Sequence, residues 1–266
     1  MAVDKNVSAS TQNQALSSLI FLYKHIIHKP LGHLDIVWSK RPVKLPVVLT
    51  KSEVQAVFQH LSGTSLLIAQ LLYGSGLRFR EALGLRVQDI DFGQNLIFVR
   101  DGKGHKDRTT PLPTTLQLRL LTQIERVKAL HHADLQNGNG RAPLPYALER
   151  KYPNAERDWC WQFVFPSTKL SKNPQSDLET VYRFHLHEST VQKAIRRAGK
   201  QSGLAKRVSP HIFRHSFATH LLESGTNIRA IQELLGHKDV QTTMIYTHVA
   251  NFNSRSIQSP LDTLSV

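Results

Sequence analysis

The C-terminal part of the chain is punctuated so strongly that three consecutive helices are fixed before any other element is considered. Ser209 is a good N-cap, Pro210 suits the first helical position, and Gly225 is a natural stop. Thr226 or Asn227 starts a second helix that Gly236 ends, and Asp239 can cap a third, short one carrying Tyr246. The same stretch concentrates chemistry in Ser209-Pro210-His211-Ile212-Phe213-Arg214-His215, Leu235-Gly236-His237 and Met244-Ile245-Tyr246-Thr247-His248. His211 and Arg214 are three apart and share a helix face. The helix N-terminus adds free N–H groups and a partial positive charge to that face. An arginine, several imidazoles and a tyrosine are groups that hold a phosphate and attack it without a metal.

Each of these signals is ordinary alone. A His-x-x-Arg pair is most often surface decoration, and a Tyr before Thr-His is most often a packing residue. Tyr246 is a weak nucleophile unless a base or positive charge assists it. His237, after a helix-stopping glycine, could do no more than cap backbone carbonyls. His211 and His215 have the i, i+4 spacing of metal ligands, yet no Glu follows His211 and no third ligand is evident, so no metal site is expected.

Upstream, Leu16, Leu19, Ile20, Tyr23 and Ile27 give residues 10–28 helical periodicity, and Pro30, Pro42 and Pro46 break the segment after it. Thr50-Lys51-Ser52-Glu53 is a capping-box signature ahead of Val54, Val57, Phe58 and Leu61. A second apolar helix over about 65–73 ends in Gly74-Ser75-Gly76, and another begins near Arg78. That turn presents the Arg78 guanidinium, which grips two phosphate oxygens at once, and Glu81 one turn later can orient it. Leu96–Val99, a basic tip with Lys103, Lys106 and Arg108, and Thr109–Leu112 predict a β-hairpin. A hairpin-tip lysine is usually solvated; in a groove Lys103 could donate a proton to a leaving oxygen. Residues 115–130 predict an amphipathic helix. From about 131 to 187 the pattern breaks into an insertion with limited internal structure, and residues 189–197 return to helix.

The formal charge of +14, from 34 Lys+Arg against 20 Asp+Glu, points to a polyanionic partner. One cysteine, Cys160, excludes an internal disulfide framework and a multi-cysteine zinc site. There is no signal-peptide pattern and no apolar run of membrane-spanning length, so a cytoplasmic protein without a membrane partner is expected.

Taken in order, Gly-Ser-Gly-Leu-Arg78-x-x-Glu81, Gly-Lys103-Gly-x-Lys106-x-Arg108, His211-x-x-Arg214, Leu-Gly-His237 and Tyr246 resemble the catalytic domain of the tyrosine recombinases, the phage-integrase family. The likeness runs over roughly Leu45 to Val249. It implies an α+β fold, mostly helical with a small antiparallel sheet. Leu144-Pro145-Tyr146-Ala147-Leu148-Glu149-Arg150-Lys151-Tyr152-Pro153 and the terminal Ser259-Pro260-Leu261 are similar to integron integrases.

The resemblance implies Tyr246 as nucleophile on a DNA phosphodiester, giving a 3′-phosphotyrosyl link. Arg78, Lys103, His211, Arg214 and His237 would form the shell around it, with Glu81 in support. Lys103 would be the general acid and His211 the base or proton shuttle. No cofactor is implied. The implied partners are duplex DNA, folded single-stranded cassette sites and further copies of the chain in a tetramer on DNA. Lys106 and Arg108 are expected at the DNA surface. Trp159, Trp161, Tyr146 and Tyr152 are expected either to stack on extrahelical bases or to anchor the insertion.

The expected division is a partial helical core-binding domain over 1–34, a linker over 35–47, and a catalytic domain over 48–266 containing the insertion. The helical domain is about half the length usual in that family. This raises a second reading, a DNA-binding remnant without catalytic competence.

Overall fold

A computed structural model describes residues 7–29, 31–32, 38–39, 45–102, 106–145, 148–172 and 180–253. The chain divides into two units, residues 1–45 and 46–266. In the first, α1 (Ala9–Phe21) starts at Ser8, whose Oγ accepts from the Thr11 N–H, and runs on into a single π-turn segment, Leu22–Ile26. Asn13 is buried within this unit, its amide exchanging two 3.0 Å hydrogen bonds with the Ser39 backbone.

The second unit is mostly helical with a small antiparallel sheet. Its axis is α3 (Gly63–Ser75), where Leu67, Ile68, Ala69, Leu71 and Leu72 are all buried. A helix apolar all round belongs inside, and α2 (Lys51–Gln59), α4 (Phe79–Leu83), α7 (Glu188–Gln201) and α8 (Pro210–Glu223) pack around it. The capping box foreseen at Thr50 is formed: Glu53 Oε2 accepts from the Thr50 N–H at 2.8 Å, and Thr50 Oγ1 from the Glu53 N–H at 3.2 Å.

α3 ends at Gly76, in left-handed conformation with φ +61°. A Cβ there would lie 2.4 Å from the Phe217 ring. Only glycine combines that backbone with that approach, and the bend delivers the chain to buried Leu77 and then Arg78.

β1 (Ile90–Asp91), β2 (Leu96–Gly102) and β3 (Lys106–Pro111) form an antiparallel sheet in that order, with Ile97 opposite Thr110 and Val99 opposite Arg108. Ile97 and Val99 face the core. The hairpin tip carrying Lys103 lies outside the described residues.

Two expectations are corrected. α5 (Gln117–Gln136) continues six residues past the expected end at 130. Its last turns bury polar His131 and Asp134, which break the apolar period. Asp134 is satisfied by a two-point ion pair with Arg183 at 2.5 and 2.8 Å.

The insertion is also more ordered than its composition suggests. It contains α6 (Leu148–Lys151), two 3₁₀ turns and a two-stranded ladder, β4 (Ser171–Lys172) with β5 (Val181–Tyr182). Ala142, Leu144, Phe163, Val164 and Phe165 are buried. Arg86 fastens it: its guanidinium lies 4.4 Å from the Phe163 ring centroid and donates to the Trp161 and Pro143 carbonyls at 2.5 and 2.8 Å. A helical pattern scan sees none of these because the contacts are side chain to backbone across distant segments.

The end of the unit is built from α8, α9 (Ile228–Leu235) and α10 (Gln241–Asn253), with a small apolar cluster of Phe217, Ala218, Ile231, Leu235 and Tyr246 between them. Among the described residues no helix is long and apolar enough to cross a membrane.

Candidate active site

Five elements, α4, β3, α8, α9 and α10, meet at one place, and each supplies a functional side chain. Arg78 caps the start of α4. Glu81, three residues on, accepts the Arg78 backbone N–H on Oε2 and the guanidinium on Oε1, both at 2.7 Å. Arg108 reaches the same carboxylate from β3, with Nη1 and Nη2 donating at 3.0 and 2.6 Å. Arg214, on α8, donates to the Gly76 and Leu235 carbonyls and lies 5% exposed.

His237 arrives through the end of α9. Gly236 adopts φ +61°, its N–H donates to the Glu233 carbonyl at 2.9 Å, and the His237 N–H donates to the Gln232 carbonyl at 3.1 Å. This is the paired closure of a Schellman cap. His237 is therefore placed by the helix stop itself. Its Nε2 lies 3.4 Å from Arg214 Nη2 and its Nδ1 2.9 Å from Thr243 Oγ1. Tyr246 follows one turn after Thr243 on α10. It is 2% exposed, its ring is stacked 6.4 Å from that of His237, and its hydroxyl lies 2.9 Å from His215 Nδ1.

The electrostatics follow from that crowding. Burial alone would push the Glu81 carboxyl up, but the Arg108 fork and then Arg78 outweigh it and hold it at about 2. Burial, with Arg78 beside it, brings Arg214 down to about 10, so it stays charged at neutral pH. Burial, then Arg214 and the other two arginines, lowers His237 to about 4. Burial, then His211 and Arg214, does the same to His215, again to about 4. Burial raises the Tyr246 hydroxyl against the opposing pull of Arg214 and Arg78. The result is a cationic cradle with one carboxylate among three guanidiniums, two neutral imidazoles and a protonated phenol.

Of the residues expected from sequence, Arg78, Glu81, Arg214, His237 and Tyr246 come together here. His211 is placed differently. It sits exposed on the first turn of α8, beside Gln192, Arg196 and Arg207, and among the described residues no hydrogen bond joins it to Tyr246. Arg108, expected at the DNA surface, is turned inward with its side chain 9% exposed, and its Nε donates to the Leu234 carbonyl at 2.9 Å.

Lys103 and Tyr146, and the side chain of Lys106, lie outside what is described. Trp159 packs against the core, 5.9 Å from the His131 ring, and Trp161 lies under Arg86. Tyr152 is exposed, with the Lys151 ammonium 5.3 Å from its ring. Sequence reasoning missed His215 as a partner of Tyr246 and Thr243 as a partner of His237. Their only signals were positional: His215 adjoins Arg214, and Thr243 is one turn from Tyr246.

Comparison with known proteins matches residues 47–252 to the phage integrase family and residues 1–33 to the phage integrase N-terminal SAM-like domain. An integrase/recombinase of Escherichia coli is 46% identical over 265 residues, covering 99% of this chain and 78% of that protein. Tyrosine recombinase XerA of Thermococcus onnurineus (strain NA1) is 36% identical over 222 residues, 82% of this chain and 64% of its own length. Among solved structures, XerA recombinase superposes with a TM-score of 0.55 at 27% identity, over 97% of this chain and 80% of that one. The XerH site-specific recombinase, solved bound to a palindromic difH substrate in a post-cleavage complex, shares the fold at TM-score 0.58 and 21% identity, over 95% of this chain and 67% of that one.

Proposed function

The chain belongs to the phage integrase family, the tyrosine recombinases, and on that premise we propose that it cuts and rejoins DNA through a covalent tyrosine intermediate. The observation that carries the reading is the convergence of Arg78, Arg214, His237 and Tyr246 from four separate elements: Arg78 and Arg214 are hydrogen-bonded to the end of α9, Arg214 lies against His237, and the Tyr246 ring stacks on His237. In this reading Tyr246 Oη attacks the scissile phosphorus, the P–O5′ bond breaks, and the 3′ end remains on the tyrosine.

Arg78, Arg214 and His237 stabilise the charge that grows on the non-bridging oxygens, where loss of one well-placed donor costs about 3–4 kcal/mol. Lys103 protonates the leaving 5′-oxygen. His211, at the open end of α8, contacts the phosphate side of the cleft. Attack of another strand's 5′-hydroxyl reverses the steps, so bond energy is retained and no cofactor is required. The charge of +14 suits a DNA partner whose backbone contacts dominate affinity.

The finer reading is an integron-type integrase that inserts or excises gene cassettes in the cytoplasm, acting as a tetramer on duplex and folded single-stranded sites. The insertion supports it. Exposed Tyr152 offers a stacking face, with Tyr146 as its partner in this role, while the two tryptophans hold the platform.

The test is a nicked suicide duplex incubated with the native chain and with Tyr246→Phe. A denaturation-resistant protein–DNA adduct with the native chain alone is expected. No adduct with the native chain leaves the DNA-binding remnant, and an adduct with Tyr246→Phe removes Tyr246 as nucleophile.

A further inference from the structure

A buried phenol that is to attack phosphorus must lose its proton to something within reach. Among the described residues one side chain lies within hydrogen-bond distance of Tyr246 Oη, and it is His215 at 2.9 Å. Both oxygens of Glu81 are engaged by Arg78 and Arg108. His211, the imidazole expected from sequence to act as base, is exposed and does not touch the tyrosine. The helical twist of α8 explains the division of labour. Arg214 points toward Gly76 and Leu235, and its successor His215 is rotated by about 100° onto the side that faces α10. The two rings stand 5.7 Å apart at 48°.

Resting on the reading that Tyr246 is the nucleophile, we propose that His215 is a catalytic residue that takes the phenolic proton on Nδ1 as the Tyr246 Oη–phosphorus bond forms. The steps balance. The Tyr246 O–H bond breaks and its proton moves to His215 Nδ1. The freed electron pair makes the O–P bond, and the P–O5′ pair leaves on the 5′-oxygen, which is protonated by the general acid proposed above. On rejoining, the 5′-hydroxyl attacks, the Tyr246 O–P bond breaks, and His215 returns its proton to the tyrosine.

The surroundings fit an acceptor. The groups facing His215 are His211 and Arg214 from its own helix, His237 from the end of α9, and Tyr246 from α10. Burial, then His211 and Arg214 beside it, keeps the ring neutral at neutral pH, so Nδ1 holds a lone pair when Nε2 carries the proton. A bound phosphate brings negative charge to the same place and favours the imidazolium once it forms. The simpler reading is that His215 only satisfies a buried hydroxyl. The two readings differ in what a side chain that accepts a hydrogen bond but not a proton will do.

The experiment is single-turnover cleavage of a nicked suicide duplex between about pH 5.5 and 9.5, with the native chain, His215→Asn and His215→Ala, and Tyr246→Phe as control. Asn places an amide oxygen near the position of Nδ1. The native rate should not vary with any titration of His215 in this range. His215→Asn should cleave about 100-fold more slowly, the low end of general-base contributions. Its rate should climb roughly tenfold per pH unit as hydroxide takes over. Added imidazole should restore part of the His215→Ala rate, and near-native unfolding temperatures would show both variants folded. If Asn proves misfolded, imidazole rescue of the Ala variant carries the decision.

Native-like rates and pH profile in His215→Asn, or no rescue of a folded His215→Ala, overturn the proposal and leave His215 as a holder of the tyrosine. An adduct with Tyr246→Phe, or none with the native chain, overturns the underlying reading instead. These outcomes are distinct from a failure of His215 alone.

Discussion

Replacing Glu81 with Gln removes the one negative charge that joins Arg78 to Arg108, and the structure sets how large the effect should be. The carboxyl is held at about 2 against an ordinary 4.5. At about 1.4 kcal/mol per tenfold change in proton affinity, that difference corresponds to about 3 kcal/mol of stabilisation at neutral pH. The figure agrees with the roughly 3–5 kcal/mol lost when one partner of a buried pair is removed. The sign is that of a depressed carboxyl. The unfolded chain takes up the proton first, near 4.5, so the contribution is complete above about pH 5 and fades as pH falls toward 2. For a protein of this size about 3 kcal/mol lowers Tm by roughly 6–12 °C. Thermal unfolding followed by circular dichroism at pH 7 and again near pH 3 is the assay. The Gln variant should melt well below the native chain at pH 7, and the gap should narrow on acidification. A Tm within about 2 °C of native at pH 7, or a gap that does not shrink in acid, would refute the assignment of Glu81 as the electrostatic tie. Cleavage should also fall, toward the roughly 10²–10³-fold loss expected when a phosphate donor is misplaced.

Arg108→Lys keeps the charge but cannot span both Glu81 oxygens and the Leu234 carbonyl. It should cost about 2–3 kcal/mol in urea unfolding; Arg108→Gln, which removes the charge, should leave the salt dependence of DNA binding unchanged, whereas a salt slope reduced by about one in that variant would put Arg108 on a phosphate after all. Gly76→Ala forces a Cβ to 2.4 Å from the Phe217 ring at φ +61°. It should lose about 2–4 kcal/mol by the same measurement, and a loss below about 1 kcal/mol would disprove the close approach. Thr243→Val keeps the shape of a fully buried side chain but removes the partner of His237 Nδ1. Single-turnover cleavage should drop about tenfold, the equivalent of one hydrogen bond, with duplex binding unaltered; equal cleavage rates would show that Thr243 does not orient the ring.

Elements whose signal lies in a few adjacent residues were legible in the sequence. The Thr50 capping box, the Ser209-Pro210 start and the Gly236 stop each encode a local backbone conformation, and those helix ends stand where the residues place them. The hairpin followed from two short strand-forming runs, Leu96–Val99 and Thr109–Leu112, on either side of a glycine-flanked basic tip. What escaped was decided by partners far away along the chain. Nothing near Arg108 reveals that its guanidinium pairs with Glu81, twenty-seven residues earlier, and does not reach outward. α5 ran past its expected end because Arg183, forty-nine residues downstream, satisfies Asp134. His211 and His215 looked equivalent as a pair four apart; only the packing of α10 against α8 separates an exposed imidazole from one on the tyrosine.

The three arginines share a further feature that bears on how the site stays cationic. Arg108 donates to the carbonyl of Leu234, Arg214 to that of Leu235, and Arg78 to that of Gly236. These are three successive carbonyls at the C-terminal end of α9, where oxygens lack intrahelical partners and carry the negative end of the helix dipole. The left-handed turn at Gly236 fans them apart, and a Cβ there would meet Arg108 Cδ at 3.0 Å, so the turn and the glycine serve the arginines as well as the helix. Fixing three guanidiniums with three carboxylates would hold them equally well and cancel their charge. Fixing them with backbone dipoles and a single carboxylate leaves formal positive charge uncompensated in a place already desolvated enough to bring Arg214 down to about 10. The dipoles belong to the backbone and cannot swing away or be protonated. The orientation of Arg78 and Arg214 is therefore established by folding, while their charge remains available to an incoming phosphate.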